Sequence, residues 1–169
     1  MLKLTIISPS EFDLTQIKSY LSSTCDNLGI EYKLMNYTVK FQDPRNTVKS
    51  IESIINKELA QSNQTNMFWF IIPNSFKTHY SSLKKLVLKE GIEVNSQVCL
   101  VSTLQKKGFA SVFTKILLQM SAKIGNKLWV PKVSKEVPSS GILLIGIENY
   151  GDQQNKSMNI LSYCCNTNR

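Results

Sequence analysis

The chain has 169 residues, enough for one domain of ordinary size with a small appendage at most. Hydrophobic residues make up 42%, charged residues only 19%, and there are five prolines, so the composition excludes a disordered chain. The formal net charge is +8, and no apolar run approaches the roughly 18 residues of a membrane helix.

The start, Met1–Ser8, is too brief for a secretory apolar segment and lacks a small-residue cleavage pattern. It reads as a first strand. Four cysteines (Cys25, Cys99, Cys164 and Cys165) and one histidine, His79, include no Cys-x-x-Cys pair, which argues against a zinc site. Free thiols without a leader predict an intracellular protein, cytoplasmic or nuclear, with no membrane partner.

Strand and helix signals then alternate. Leu4–Ser8 is a short apolar strand. Asp13 is the expected cap of a first helix, with Gln16 completing a capping box, and Ile17, Tyr20, Leu21, Cys25 and Leu28 recur at helical spacing until Gly29 ends it. Glu31–Met35 is a weaker strand. The turn at Asp43-Pro44 opens a second helix carrying Val48, Ile51, Ile54, Ile55 and Leu59. Met67–Ile72 is continuously apolar, as in a strand buried on both faces of a parallel sheet.

A third helix is predicted from about Lys77 to Lys89, then a strand over Gln97–Ser102 and a fourth helix from about Phe109 to Ile124. Ile142–Ile147 and Met158–Cys165 are two further strands with no helix between them, a hairpin of different architecture. Pro131, Pro138, Ser139, Ser140 and Gly141 mark a boundary near Lys135–Gly141. The alternation predicts an α/β fold, a Rossmann-like parallel sheet flanked by helices, followed by a short hairpin. Such sheets bind ligands at the carboxyl ends of their strands, here the Pro73–Thr78 and Ser102–Gly108 loops.

Charge is concentrated along the chain. Residues 77–135 carry eleven lysines and two glutamates, so this stretch holds all of the excess positive charge. That concentration favours a polyanion, nucleic acid first. Within it, Lys115, Gln119 and Lys123 fall at i, i+4 and i+8 on a mostly apolar helix and share one face. Tyr80 and Lys84 form an i, i+4 pair on the preceding helix. If the two helices converge, they offer two ammonium groups, an amide and a phenol to one small anion, and a terminal phosphate suits that set. Tyr80 could instead stack under a terminal base. Spacing alone also fits the solvated stripe of an amphipathic helix with a half-buried tyrosine.

The local sequence separates these readings. Tyr80-Ser-Ser-Leu-Lys-Lys85, Ser96-Gln97-Val98 and Thr114-Lys-Ile-Leu-Leu-Gln-Met-Ser-Ala-Lys-Ile-Gly125 with Leu128-Trp129 resemble the MID domain of Piwi-clade Argonaute proteins. Ile145-Gly-Ile-Glu-Asn-Tyr150, with Lys156-Ser157, resembles the opening hairpin of that family's RNase H-like PIWI domain. The resemblance runs from about Met67 to Tyr163. It implies a MID domain over 1–138 and the N-terminal part of a PIWI domain over 139–169.

In that family the 5′ phosphate of a guide RNA is held by residues matching Tyr80, Lys84, Gln97, Gln119 and Lys123, glutamine at the Gln119 position marking the Piwi clade. The resemblance further implies a magnesium ion beside the phosphate, with Gln119 near it. It also implies a base-reading loop at Asn74, Ser75, Phe76, Lys77 and Thr78 that works largely through backbone groups. Lys115 shares the helical face but is not among the family's ligands. Glu148 stands where cleaving members have their first catalytic aspartate, and the other catalytic positions have no counterpart here, so a binding module rather than an enzyme is expected.

The expected partners are a small single-stranded RNA with a 5′ phosphate (piRNA-like, in RNA silencing) and the remainder of a full-length Argonaute. An open hairpin edge likewise predicts a longer parent chain. The competing reading is a generic basic α/β nucleotide-binding or protein-interaction module. Against an enzyme or nucleotide-binding domain stand the missing Gly-x-Gly-x-x-Gly and Walker A loops.

Overall fold

Four parallel strands form the centre of the larger part of the chain, in the order β2-β1-β3-β4. The computed structural model describes residues 1–61, 65–89, 92, 94–128, 145–151 and 159–165. The chain divides into two units, Met1–Trp129 and Val130–Arg169. The expected boundary at Lys135–Gly141 lies outside the described residues.

In the first unit the elements run β1 (Leu2–Pro9), α1 (Thr15–Leu28), β2 (Tyr32–Val39), α2 (Pro44–Leu59), β3 (Met67–Ile72), a 3-10 helix (Asn74–His79), α3 (Tyr80–Val87), β4 (Ser96–Leu100), α4 (Val101–Leu104) and α5 (Phe109–Lys123). All six residues of β3 are buried, as its unbroken apolar run predicts. Their side chains alternate between two cores. Met67, Trp69 and Ile71 pack with α1 and α5, while Phe68, Phe70 and Ile72 pack with α2 and α3. Each such side chain contributes about 1.5–3 kcal/mol by leaving water. This double burial fixes α5 on one side of the sheet and α3 on the other.

Helix ends follow local chemistry. Asp43 caps α2, its Oδ2 accepting from the Asn46 N–H at 2.9 Å, with Pro44 at the first helical position. At α1 the expected capping box is not formed as read. The helix starts at Thr15, and Asp13 Oδ1 accepts from the Thr15 N–H two residues on, an Asx turn one step outside the helix. Gly29 ends α1 with φ at 63°, as expected.

Three other boundaries move. The second strand runs to Val39 rather than Met35, because pairing with β1 along its whole length, Leu2↔Tyr32 to Pro9↔Val39, extends it beyond its apolar residues. The region from Lys77 begins as a 3-10 turn, and the α-helix starts only at Tyr80. The fourth strand stops at Leu100, and Val101–Leu104 forms a short helix.

The second unit contains an antiparallel hairpin, β5 (Ile145–Gly151) with β6 (Asn159–Cys165), Ile145 pairing Cys165 and Gly151 pairing Asn159. The expected strand residues 142–144 and 158 lie outside the described residues.

Candidate functional site

Among the described residues, strand β4 is an edge strand, paired with β3 through Phe68↔Ser96 to Ile72↔Leu100. Its first two residues receive side chains from the helices on both sides. From α3, Lys84 Nζ donates to Ser96 Oγ at 2.8 Å and approaches the Ser96 carbonyl at 3.4 Å. From α5, Lys123 Nζ donates to the same carbonyl at 2.8 Å and to Gln97 Oε1 at 2.7 Å. Gln97 Nε2 in turn donates to Gln119 Oε1 at 3.2 Å. Four of the five sequence-predicted phosphate ligands are thus brought into one hydrogen-bonded cluster around the start of β4.

The alternation of β4 explains the arrangement. Ser96 pairs with Phe68 and faces α3, while Gln97 pairs with Trp69 and faces α5. Lys84 and Lys123 reach the strand from opposite faces and meet at its backbone. Gly125 ends α5 with φ at 87°, and the Asn126 N–H closes the turn onto the Ser121 carbonyl at 3.1 Å. This C-terminal turn holds Lys123 in place.

Electrostatically the cluster has cations and, among the described residues, no counter-charge. Burial holds the Lys84 ammonium below the ordinary lysine range, and the neighbouring Lys123 charge lowers it further. Burial alone lowers Lys123. Both lean on a neutral carbonyl, and residues 94–128 contain no Asp or Glu. The amide relay uses Gln97 Oε1, Gln97 Nε2 and Gln119 Oε1, so Gln119 Nε2 is the remaining donor of the pair.

Tyr80 is the fifth predicted ligand. The residue is 46% exposed, its ring centroid lies 6.0 Å from Lys84 Nζ, and no described residue within hydrogen-bond distance occupies its hydroxyl. It flanks the cluster without joining it. The sequence reading missed Ser96 as a participant. Its carbonyl and hydroxyl are the common acceptors, and a backbone carbonyl leaves no trace in residue type.

The cluster lies at the amino end of β4, not at the carboxyl-end loops expected of a parallel sheet. The reason is that β4 is an edge strand, so its flank is open to helices on both faces and a site forms beside it. At the carboxyl edge, Asn74 Oδ1 accepts from Ser102 Oγ at 2.7 Å, tying the two loops named from sequence to each other. In the 3-10 turn, Ser75, Lys77 and Thr78 are exposed. Phe76 is buried and packs edge-on to Phe41, ring centroids 5.0 Å apart, and tilted onto His79 at 4.6 Å. Its side chain therefore anchors the turn and is withdrawn from any base.

Magnesium takes hard oxygen donors, typically carboxylates and phosphates. Here Gln119 Oε1 already accepts from Gln97, and the charged groups among the described members of the cluster are two ammonium groups. Among the described residues no group of three or more His, Cys, Asp or Glu gathers. The described residues of the cluster do not fit the ion. Cys25 and Cys99 are buried, and burial pushes their thiols up to about 11 and about 12, so both are protonated core residues. Among the described residues no helix is long and apolar enough to cross a membrane.

A parallel α/β sheet whose edge strand gathers two lysines and two glutamines defines an α/β domain with a compact cationic site. Comparison with known proteins takes this further, since the Piwi domain family matches residues 67–168. The chain belongs to the Piwi family of Argonaute proteins. Protein argonaute-3 of Drosophila melanogaster is 26% identical over 155 residues, 91% of this chain and 17% of that protein. Piwi-like protein 3 of Homo sapiens is 26% identical over 162 residues, 94% of this chain and 18% of that protein. Piwi-like protein 1 of Gallus gallus is 30% identical over 105 residues, 62% of this chain and 12% of that protein. The chain therefore spans less than a fifth of the length of these relatives. Among solved structures, that of Aa-Ago with externally bound siRNA matches with a TM-score of 0.62 at 20% identity, over 97% of this chain and 24% of that one, a likeness of fold.

Proposed function

We propose that this chain anchors the 5′-monophosphorylated end of a small guide RNA for RNA silencing. Membership of the Piwi family supports a small-RNA partner and a larger Argonaute context. The observation that carries the finer reading is the shared Ser96 carbonyl, where Lys84 and Lys123 meet with no counter-ion among the described residues. Two like charges held this close are costly unless an anion joins them. A terminal phosphate brings up to two negative charges and several acceptor oxygens, so each ammonium gains a charge-assisted hydrogen bond. Gln119 Nε2 supplies a further donor. The exposed Tyr80 ring beside the pair offers a stacking surface for the first base, and the exposed backbone of Ser75, Lys77 and Thr78 offers polar groups to its edge.

The reading is of binding without cleavage by this stretch of chain. Glu148 stands on β5 opposite Ser162, exposed, and its carboxylate sits one methylene further out than the aspartate that the resemblance places there. A two-metal site depends on carboxylate position, so that shift is unfavourable to it.

The test compares one short RNA with a 5′ phosphate and with a 5′ hydroxyl in competition binding. The proposal predicts clear preference for the phosphate, lost in Lys123→Ala. Equal affinity of the two RNAs for the unsubstituted chain would rule it out.

A further inference from the structure

At the side of the sheet away from β4, strand β2 pairs with β1 alone among the described residues, and it runs for 8 residues without a proline. The Leu2 N–H donates to the Glu31 carbonyl at 2.7 Å, which sets the phase of the ladder. The odd-numbered residues of β2 therefore turn their main-chain groups to β1, and those of Tyr32, Leu34, Asn36 and Thr38 point outward. Among the described residues these outward groups have no strand beside them. An open edge of this length is a template for another strand.

The α2 flank of this edge is basic. Tyr37 and Val39 face the core shared with α2, and α2 brings Lys57 Nζ over the Tyr37 ring, 5.5 Å from its centroid. At the other end of α2, Lys49 lines an open groove of about 710 Å³ with Thr38, Lys40, Asn46 and Ser50. Lys49 and Lys57 are exposed and form no ion pair among the described residues. Strand β2 carries no acid. Of the acids on α2 and its cap, Asp43 caps the helix, Glu52 pairs with Lys89 and Glu58 is buried.

Lys49 and Lys57 stand two helical turns apart, about 12 Å along α2. On a strand, residues four apart face the same way about 13 Å apart. We propose that β2 docks an extended acidic peptide, added as a further strand along its outer edge, with carboxylates four residues apart on Lys49 and Lys57. The outward main chain of β2 offers alternating donors and acceptors, and a peptide main chain offers the same alternation in return. A phosphate backbone brings acceptors alone, which the outward carbonyls repel. The edge lies at the opposite side of the sheet from the proposed 5′ anchor and does not depend on it.

The test uses the full chain and a dye-labelled nonapeptide of threonine and valine, blocked at both ends, with glutamate at its third and seventh positions. Fluorescence anisotropy should show saturable binding. Even and odd amides of a strand point to opposite edges, so N-methylating one set should weaken binding about tenfold and N-methylating the other should change it by less than about twofold. Lys49→Glu and Lys57→Glu, both at exposed positions, should each weaken binding severalfold while leaving the preference for 5′-phosphorylated RNA unchanged. Moving the second glutamate to the sixth position turns it to the other face and should weaken binding as much. Absence of saturable binding would overturn the proposal. So would equal loss from both N-methylated sets, since charge would then act without strand addition, and so would binding unchanged in both lysine variants, which would put the peptide elsewhere. Displacement of the peptide by a 5′-hydroxyl RNA whose own affinity falls in Lys49→Glu would make this edge a nucleic-acid surface and overturn it as well.

Discussion

On the β2 side of the sheet a carboxylate is buried with everything it needs, whereas on the β4 side two ammonium groups are held together with too little. Glu58 is 2% exposed. Its Oε1 accepts from Tyr37 Oη at 2.5 Å and Gln61 Nε2 at 3.4 Å, and its Oε2 accepts from Thr65 Oγ1 at 3.1 Å and Thr5 Oγ1 at 3.4 Å. That bond to Glu58 pushes the Tyr37 hydroxyl above its ordinary pKa. Every acceptor site of the carboxylate is used internally, so this charge holds α2, β1 and β2 together. Lys84 and Lys123 share one carbonyl, and burial lowers both. A charge satisfied from within is structural, and a charge pair left short invites a ligand.

The sharpest way to break the contrast is to exchange the two outcomes. Glu58→Ala should lower stability by about 2–4 kcal/mol, read as a fall in the urea midpoint, because the Tyr37 hydroxyl and the threonine pair lose their common acceptor. Its preference for 5′-phosphorylated RNA should persist. Lys84→Ala and Lys123→Ala should do the reverse, each weakening binding of the phosphorylated RNA by about 1–3 kcal/mol with no loss of stability. A large stability loss in either lysine variant would make that cluster structural too.

Gly125→Ala sharpens the account of how the anchor is held. A side chain at φ 87° costs about 1 kcal/mol, so stability should drop by about that much, with a smaller loss of phosphate preference as the Lys123 turn shifts. The smallest effect belongs to Lys89→Ala. It removes the 2.7 Å pair with Glu52 from an exposed surface, and the unfolding free energy from urea titration should change by less than about 0.5 kcal/mol.

The buried strands were legible because residue type alone marks them. The six apolar residues of β3 and the apolar positions of α2 and α5 left little choice of structure. β2 was shortened in the sequence reading because an edge strand is defined by its hydrogen bonds to β1 more than by apolar residues. The 3-10 turn Asn74–His79 and the short helix Val101–Leu104 were missed, since neither is long enough to show a period. At the site, the i, i+4 spacings correctly placed Lys84, Gln119 and Lys123 on facing sides of two helices. Spacing could not show that they meet at the backbone of Ser96, nor that Tyr80 stands beside the cluster rather than in it.

The central claim is that Lys84 and Lys123 are a cation pair completed by a phosphate, and side-chain NMR of the two ammonium groups tests it most directly. A lysine whose pKa is lower folded than unfolded penalises the fold while charged, and that penalty is relieved as pH rises from the lowered value to the ordinary one. Bound phosphate should remove the penalty. Both lysines should therefore titrate below the ordinary lysine range in the free chain and move up when uridine 5′-monophosphate is added, but not when uridine is added. Titration curves unchanged by the phosphorylated nucleotide would contradict the account.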